Sequence, residues 1–232
     1  MTTCSPPTGW ARSPRVRSSL SAFFAFAIRE GLTEVNPVLG TGKADEGPSR
    51  DRVLSEAELR AVLSALGSDP FSEIVRLLVL SAQRREEIGS LQWSEIDFDR
   101  GLIILSPART KNKRLHELPI SSQVWAILER QPRRNEFVFG RRWTSWSNAR
   151  VCLDQRLPEM PSWRLHDLRR TAATIMADRL DLLPHIIEAV LNHVSGSRAG
   201  VAGVYVRAKY QDQMRAALQT WGDYIDRLNP TP

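Results

Sequence analysis

In RLHDLRRTAAT (164–174), His166, Arg169 and Arg170 stand at i, i+3 and i+4. A helix there gathers an imidazole and two guanidiniums on one face. The only acid in the run, Asp167, points about a quarter turn away. Clustered cations repel, so this face calls for an anion from elsewhere, either a side chain of another segment or a phosphate. Three further stretches carry comparable chemistry. SAQRREEIGSLQW (81–93) sets Arg84 and Glu87 at i,i+3 near a helix start. RTKNKR (109–114) places Arg109, Lys111, Lys113 and Arg114 at a hairpin tip. LNHVSGSRAGVAGVYVRAKY (191–210) follows a helix end with Asn192, a candidate left-handed cap, then His193, Tyr205 and Tyr210. Singly, each reads as an ion pair, a solvated turn or a packed ring. Together they form a set for one reaction. Two arginines can each clamp a phosphodiester bidentately. Histidines and a lysine can move protons or donate to phosphate oxygens. A tyrosine can attack phosphorus and hold it covalently. Fixed guanidiniums act where negative charge develops on the non-bridging oxygens. The sequence offers no acidic cluster for Mg²⁺, so the expectation is chemistry with no metal and no cofactor.

Hydrophobic spacing supplies the elements that must position these groups. Residues 15–31 read as one helix with Leu20, Phe23, Phe24 and Ile28 on its apolar stripe and Gly31 at its end. The apolar run LSAFFAFAI (20–28) is too short to span a bilayer and is expected to be a buried helix face. Ser55 and Glu58 make a capping box before the stripe Leu59, Val62, Leu63 and Leu66. Asp69-Pro70 opens a second helix through about Ala82, and a third runs from Arg85 to Leu91. EIDFDRGLIIL (95–105) reads as two short strands around Asp99-Arg100-Gly101, and 109–120 as a basic turn leading to a third strand that stops at Pro119. Helix resumes over Ser121–Arg130, EFVFG (136–140) reads as a short strand, and helices are expected at about 144–156, 166–179, 184–191, 197–206 and 208–228. The fold class is therefore mainly α with a small antiparallel β-sheet.

The chain's formal net charge is +6, which suits a polyanionic partner but does not by itself demand one. Cys4 and Cys152 lie far apart with no metal spacing, which argues against a disulfide framework or a zinc site and for a reducing setting. The start MTTCSPPTGWARSPR has no apolar core of a secretory signal. A cytoplasmic location with no membrane contact is the expectation.

In order, these motifs resemble the catalytic domain of the tyrosine recombinases, the phage integrase family. The resemblance runs from about residue 16 to 228. Arg84 and Glu87 match the family's first arginine box, R-x-x-E. Lys111 is the best match for its hairpin lysine, with Lys113 as competitor. His166 and Arg169 match its H-x-x-R box. Leu191-Asn192-His193 stands where the family usually has L-G-H, and VYVR places the nucleophile at Tyr205, with Tyr210 as competitor. The resemblance implies site-specific DNA recombination or integration, by strand cleavage and rejoining through a 3′-phosphotyrosine formed by Tyr205. Arg84 and Arg169 would stabilise the pentacoordinate state. Lys111 would protonate the leaving oxygen, His166 would help deprotonate the tyrosine, and His193 would hydrogen-bond the phosphate. Glu87 and Arg170 would support them, and Arg109, Lys113 and Arg114 would touch DNA.

The same resemblance sets expectations for organisation. Residues 1–14 are read as disordered, 15–35 as the last helix of a truncated core-binding domain, 36–52 as a linker and 53–232 as the catalytic domain. Truncation would impair the grip on DNA, because lost phosphate contacts weaken binding steeply. The expected partner is double-stranded DNA, held by a homo-tetramer through the C-terminal helix, whose stripe Met214, Leu218, Trp221, Ile225 and Leu228 either packs on its own domain or docks on a neighbouring copy. The expected origin is a phage or other mobile element, and the expected location the nucleoid. Two alternatives are a non-catalytic DNA-binding remnant and a type IB topoisomerase, which uses similar chemistry.

Overall fold

The computed structural model describes residues 14–42, 51–193 and 210–229. Tyr205 and the helix expected at 197–206 lie outside the described residues. The chain divides into two compact units, residues 1–51 and 52–232.

In the first unit, helix α1 spans Pro14–Arg29. It ends in Gly31 at φ +70°, with Gly31 N–H on Ile28 O and Leu32 N–H on Ala27 O, the paired bonds of a left-handed helix stop. Arg17 ties the following turn back to the helix through Val38 O and Thr41 O, at 3.1 Å each. The expectation of a buried face over 20–28 is corrected here: Leu20, Phe23 and Ile28 are exposed, and of that run only Ala27 is buried. One helix and one turn provide no second layer to cover an apolar stripe.

The second unit carries the core. Ser55 and Glu58 cap α2 (Glu56–Ser64) reciprocally, as the sequence predicts. Asp69 caps α3 (Pro70–Ser81), with Pro70 opening the helix. Helix α3 is buried almost all round, so it is the axis about which the other elements pack. It stops at Ala82, in the left-handed region at φ 54°. A short α4 (Arg85–Gly89) and a single 3₁₀ turn at Trp93–Glu95 lead into the sheet. Strands β1 (Ile96–Asp97), β2 (Leu102–Leu105) and β3 (His116–Pro119) form an antiparallel sheet in that order. Ile103 pairs with both Ile96 and Leu118, and Leu105 pairs with His116. Gly101 makes the β1–β2 turn at φ +62°. EFVFG forms no full strand: its pairing is one bridge, Phe137 opposite Gln92, flanked by hydrogen bonds from Trp93 N–H to Glu136 O and Val138 N–H to Leu91 O.

Helices α5 (Ser122–Arg130), α6 (Trp146–Asp154), α7 (Leu165–Asp178), α8 (Pro184–Val190) and α9 (Gln211–Leu228) complete the described unit. Helix α9 lays Met214, Leu218, Trp221, Ile225 and Leu228 into the core of its own chain. Trp221 is fully buried, and its indole N–H donates to Val79 O of α3 at 2.8 Å. Among the described residues no helix is long and apolar enough to cross a membrane.

Candidate active site

Arg84 is the residue before α4, and Glu87 fixes it twice. Glu87 Oε2 accepts the Arg84 backbone N–H at 3.1 Å, and its Oε1 accepts Arg84 Nη1–H at 3.1 Å. Glu87 is buried, at 1 % exposure, so it acts from beneath the guanidinium and leaves Arg84 partly accessible. This is a sequence-local device: i and i+3 at a helix start put the carboxylate under the capping residue.

Arg169 comes to the same place from α7. It is buried at 6 % exposure. Its Nη1 donates to Ala82 O at 2.8 Å, and its Nη2 donates to Leu191 O. Burial first, and the Arg84 charge next, push its pKa down to about 10, with Glu87 opposing. Glu87 pairs with Arg84 and acts on Arg169 only through its charge, so the two guanidiniums outnumber this carboxylate. Asp167 caps its own helix, accepting the Arg164 backbone N–H at 2.8 Å, and its carboxylate lies 3.9 Å from Arg170.

Two imidazoles border the pair. His166 is an exposed residue at the start of α7, and its pKa lies below the ordinary histidine value. Partial desolvation is the main cause, followed by Arg169 and Arg170, with Asp167 opposing. His116, which the sequence analysis missed, is 5 % exposed at the first position of β3. Burial, then Arg169 and Arg84, lower its pKa to about 4, against a hydrogen bond with the Val190 backbone. Its Nε2 is buried and has no hydrogen-bond partner. The available signal was the alternation in HELPI, which puts His116 on the same strand face as Leu118.

The remaining predicted residues divide. Lys111, Lys113 and Arg114 are exposed on the β2–β3 turn, with Lys113 at φ 55°. His193 follows α8, exposed, with its N–H on Glu188 O at 2.9 Å. Tyr210 caps α9 in the left-handed region at φ 53°, its ring 5.1 Å from that of His185. Arg109, expected to touch DNA, also has a structural role. Its Nε and Nη2 hold the Glu95 carboxylate at 2.6 and 3.2 Å, while Nη1 meets Ser90 Oγ at 2.7 Å. Nη2 also donates to Ser90 O at 2.9 Å and Glu87 O at 3.1 Å. Those bonds fasten the hairpin turn to α4, beside Glu87.

Against known proteins, the model of the phage integrase family matches residues 52–212. This chain belongs to that family. The prophage integrase IntZ of Escherichia coli (strain K12) is 29 % identical over 225 residues, covering 92 % of this chain and 55 % of the relative. The integrase of Shigella phage Sf6 is 26 % identical over 229 residues, covering 93 % and 59 %. The chain thus spans somewhat over half the length of these curated relatives. In fold, it superposes with a TM-score of 0.59 on a lambda integrase (75–356) dimer bound to a COC′ core site, at 19 % identity over 78 % of this chain and 71 % of that one. The integrase from mycobacterium phage Brujita gives 0.58 at 18 % identity, over 95 % and 74 %. The family assignment and the mainly α fold with its small antiparallel sheet therefore agree with the expectation from the motifs.

Proposed function

We propose that this integrase-family chain cuts and rejoins double-stranded DNA at specific sites through a phosphotyrosine intermediate. The observation that carries the reading is the Arg84–Arg169 pair over one buried carboxylate, bordered by two imidazoles whose pKa values are held down. Glu87 offsets only one of the two guanidinium charges, and a phosphodiester bound between them would supply a second anion. As its oxygens gain charge in the transition state, guanidiniums already fixed in place would act where that charge develops.

Tyr205 Oη would attack phosphorus, forming the O–P bond as the bond to the 5′-oxygen breaks. A phenol near pKa 10 needs a base at neutral pH. The lowered pKa of His166 keeps it neutral and able to take that proton. Lys111 would hand a proton to the departing 5′-oxygen, and His193 would hydrogen-bond the phosphate. A 5′-hydroxyl of a partner strand then reverses the steps, so the ester bond energy is retained. Residues 15–35 would be the last helix of a core-binding domain, 36–52 a linker and 53–232 the catalytic domain. Lys113 and Arg114 would meet the DNA backbone, and the protein would reside with the nucleoid. A tetramer on DNA is the assembly the reading implies. An exchanged α9 would have to leave its socket on its own chain.

Nicked suicide duplexes built from the DNA bordering the gene test this. The expected result is a covalent protein–DNA adduct that survives denaturation and disappears in Tyr205→Phe. An adduct that persists in Tyr205→Phe would overturn the nucleophile. Absence of any adduct at low salt would overturn strand cleavage by this chain.

A further inference from the structure

The end of α8 gathers the site. Three successive carbonyls there accept side-chain donors from three separate segments. Val190 O takes Gln83 Nε2–H at 2.8 Å, next to Arg84. Leu191 O takes Arg169 Nη2–H. Asn192 O takes Asn112 Nδ2–H at 2.9 Å, next to Lys111. A helix end has unsatisfied carbonyls by construction, and here they serve as the common anchor.

The last of these contacts is doubled. Asn112 Nδ2 also donates to Asn192 Oδ1 at 2.9 Å, and Asn192 Nδ2 returns a bond to Asn112 Oδ1 at 3.3 Å. The two side chains form a reciprocal amide pair across 80 residues of sequence. Asn192 holds φ 45°, a left-handed conformation that glycine adopts freely and asparagine tolerates. Its side chain is what glycine would lack. On the other side, Asn112 Oδ1 also accepts the Arg114 N–H at 3.3 Å, and Thr110 closes the turn through Lys113 N–H at 3.1 Å and Arg114 N–H at 3.1 Å. A turn whose lysines are exposed is therefore internally rigid and pinned at one point.

We propose that Asn112 and Asn192 are positioning residues: their amide pair clamps the Lys111 turn onto the segment that carries His193. The proposal rests on the strand-cleavage reading for its catalytic consequence, since it is Lys111 whose proton delivery the clamp would align. Displacing a proton donor by about 1 Å is worth on the order of 100-fold in rate. A turn free to swing loses that alignment while leaving the arginine pair intact.

The test combines two readouts on the full chain. Without DNA, amide hydrogen exchange at Lys113, whose N–H donates to Thr110 O and to neither asparagine, is compared between the parent, Asn112→Ala and Asn192→Gly. Glycine keeps the positive φ accessible, so the fold is preserved while the amide is removed. The clamp predicts exchange at this amide at least about tenfold faster in Asn112→Ala, and faster by less in Asn192→Gly, which keeps the bond to Asn192 O, with the core helices unchanged. Unchanged exchange overturns the proposal. With nicked duplex DNA, each variant is expected to form adduct roughly 10- to 100-fold more slowly, and the double variant no more slowly than either single. A substrate with sulfur in place of the bridging 5′-oxygen leaves without a proton donor. It should restore the variants to near the parent rate. Equal defects on both substrates would overturn the positioning of the lysine. If the parent forms no adduct at all, the strand-cleavage reading fails, and the exchange experiment still decides the clamp.

Discussion

Charge at single residues decides most of what this site can do. Arg109 is half-buried and Arg169 buried, and they differ in what surrounds them. Arg109 meets its own carboxylate in Glu95 and three further acceptors, so its charge is neutralised within the fold. Arg169 meets two backbone carbonyls and another cation. From sequence both were cations in suggestive motifs, and only the location of Glu95, 14 residues from Arg109, separates them. His116 carries a prediction at this scale. Its folded pKa of about 4 lies below the ordinary 6.5, so the unfolded chain binds the proton first as pH falls. Stability is then fully present above pH 6.5 and is lost between there and about 4. Glu58 and Asp69 act in the same sense but lower, because hydrogen bonds outweigh their partial burial and hold both below ordinary carboxylate values. Denaturant unfolding at pH 7 and pH 5 should therefore differ by about 2 kcal/mol from this histidine. His116→Gln, neutral throughout, should flatten that difference. An undiminished pH dependence in the variant would show that the imidazole does not titrate as its surroundings dictate.

At the level of elements, what was legible in the sequence is what local chemistry dictates. The Ser55–Glu58 box, the Asp69-Pro70 start, the Asp99-Arg100-Gly101 turn and the strand ending at Pro119 all depend on neighbours within a few residues, and all form. The reading of EFVFG as a strand failed because a lone bridge to Gln92 is all its surroundings offer. The Asn112–Asn192 pair and the burial of His116 were not legible, since each joins segments more than 70 residues apart in sequence and depends on how α8 meets the hairpin. Helix α4, which carries Glu87, offers a test of how tightly an element must sit. A methyl group at Gly89 would lie 2.5 Å from the ring of Trp146 and 3.2 Å from Trp143 Cβ. That indole stands among Phe71 and Trp143, with little room to yield. Gly89→Ala should destabilise the protein by about 1–3 kcal/mol, read as a shift in the urea midpoint at unchanged slope. A variant as stable as the parent would mean that α4, and the Arg84 it positions, can shift without resistance.

Across the whole molecule, the C-terminal helix closes a unit whose other elements come much earlier in the chain. Its buried face meets α3, α5, α7, α8 and β3. Its polar face is fastened as well: Arg60 reaches Leu228 O at 2.8 Å, Gln123 reaches Asp223 and Asp226 at 2.9 and 2.8 Å, and Tyr224 donates to Glu56 at 2.7 Å. Five large apolar side chains from this helix lie in the core, and their burial is worth on the order of 10 kcal/mol. That is comparable with the entire stability of an ordinary domain. A chain ending at Tyr210 should therefore lose its cooperative thermal transition and bind a hydrophobic dye, instead of melting a few degrees lower. Supplying residues 211–232 as a separate peptide should restore the transition if the socket stays formed once vacated. A truncated chain that still melts cooperatively near the parent temperature would show the helix to be peripheral, and handing it to a neighbouring copy would then be inexpensive. Loss of folding would mean that exchange can occur only where the neighbour fills each vacated socket as it opens, which ties any such assembly to a closed ring of copies.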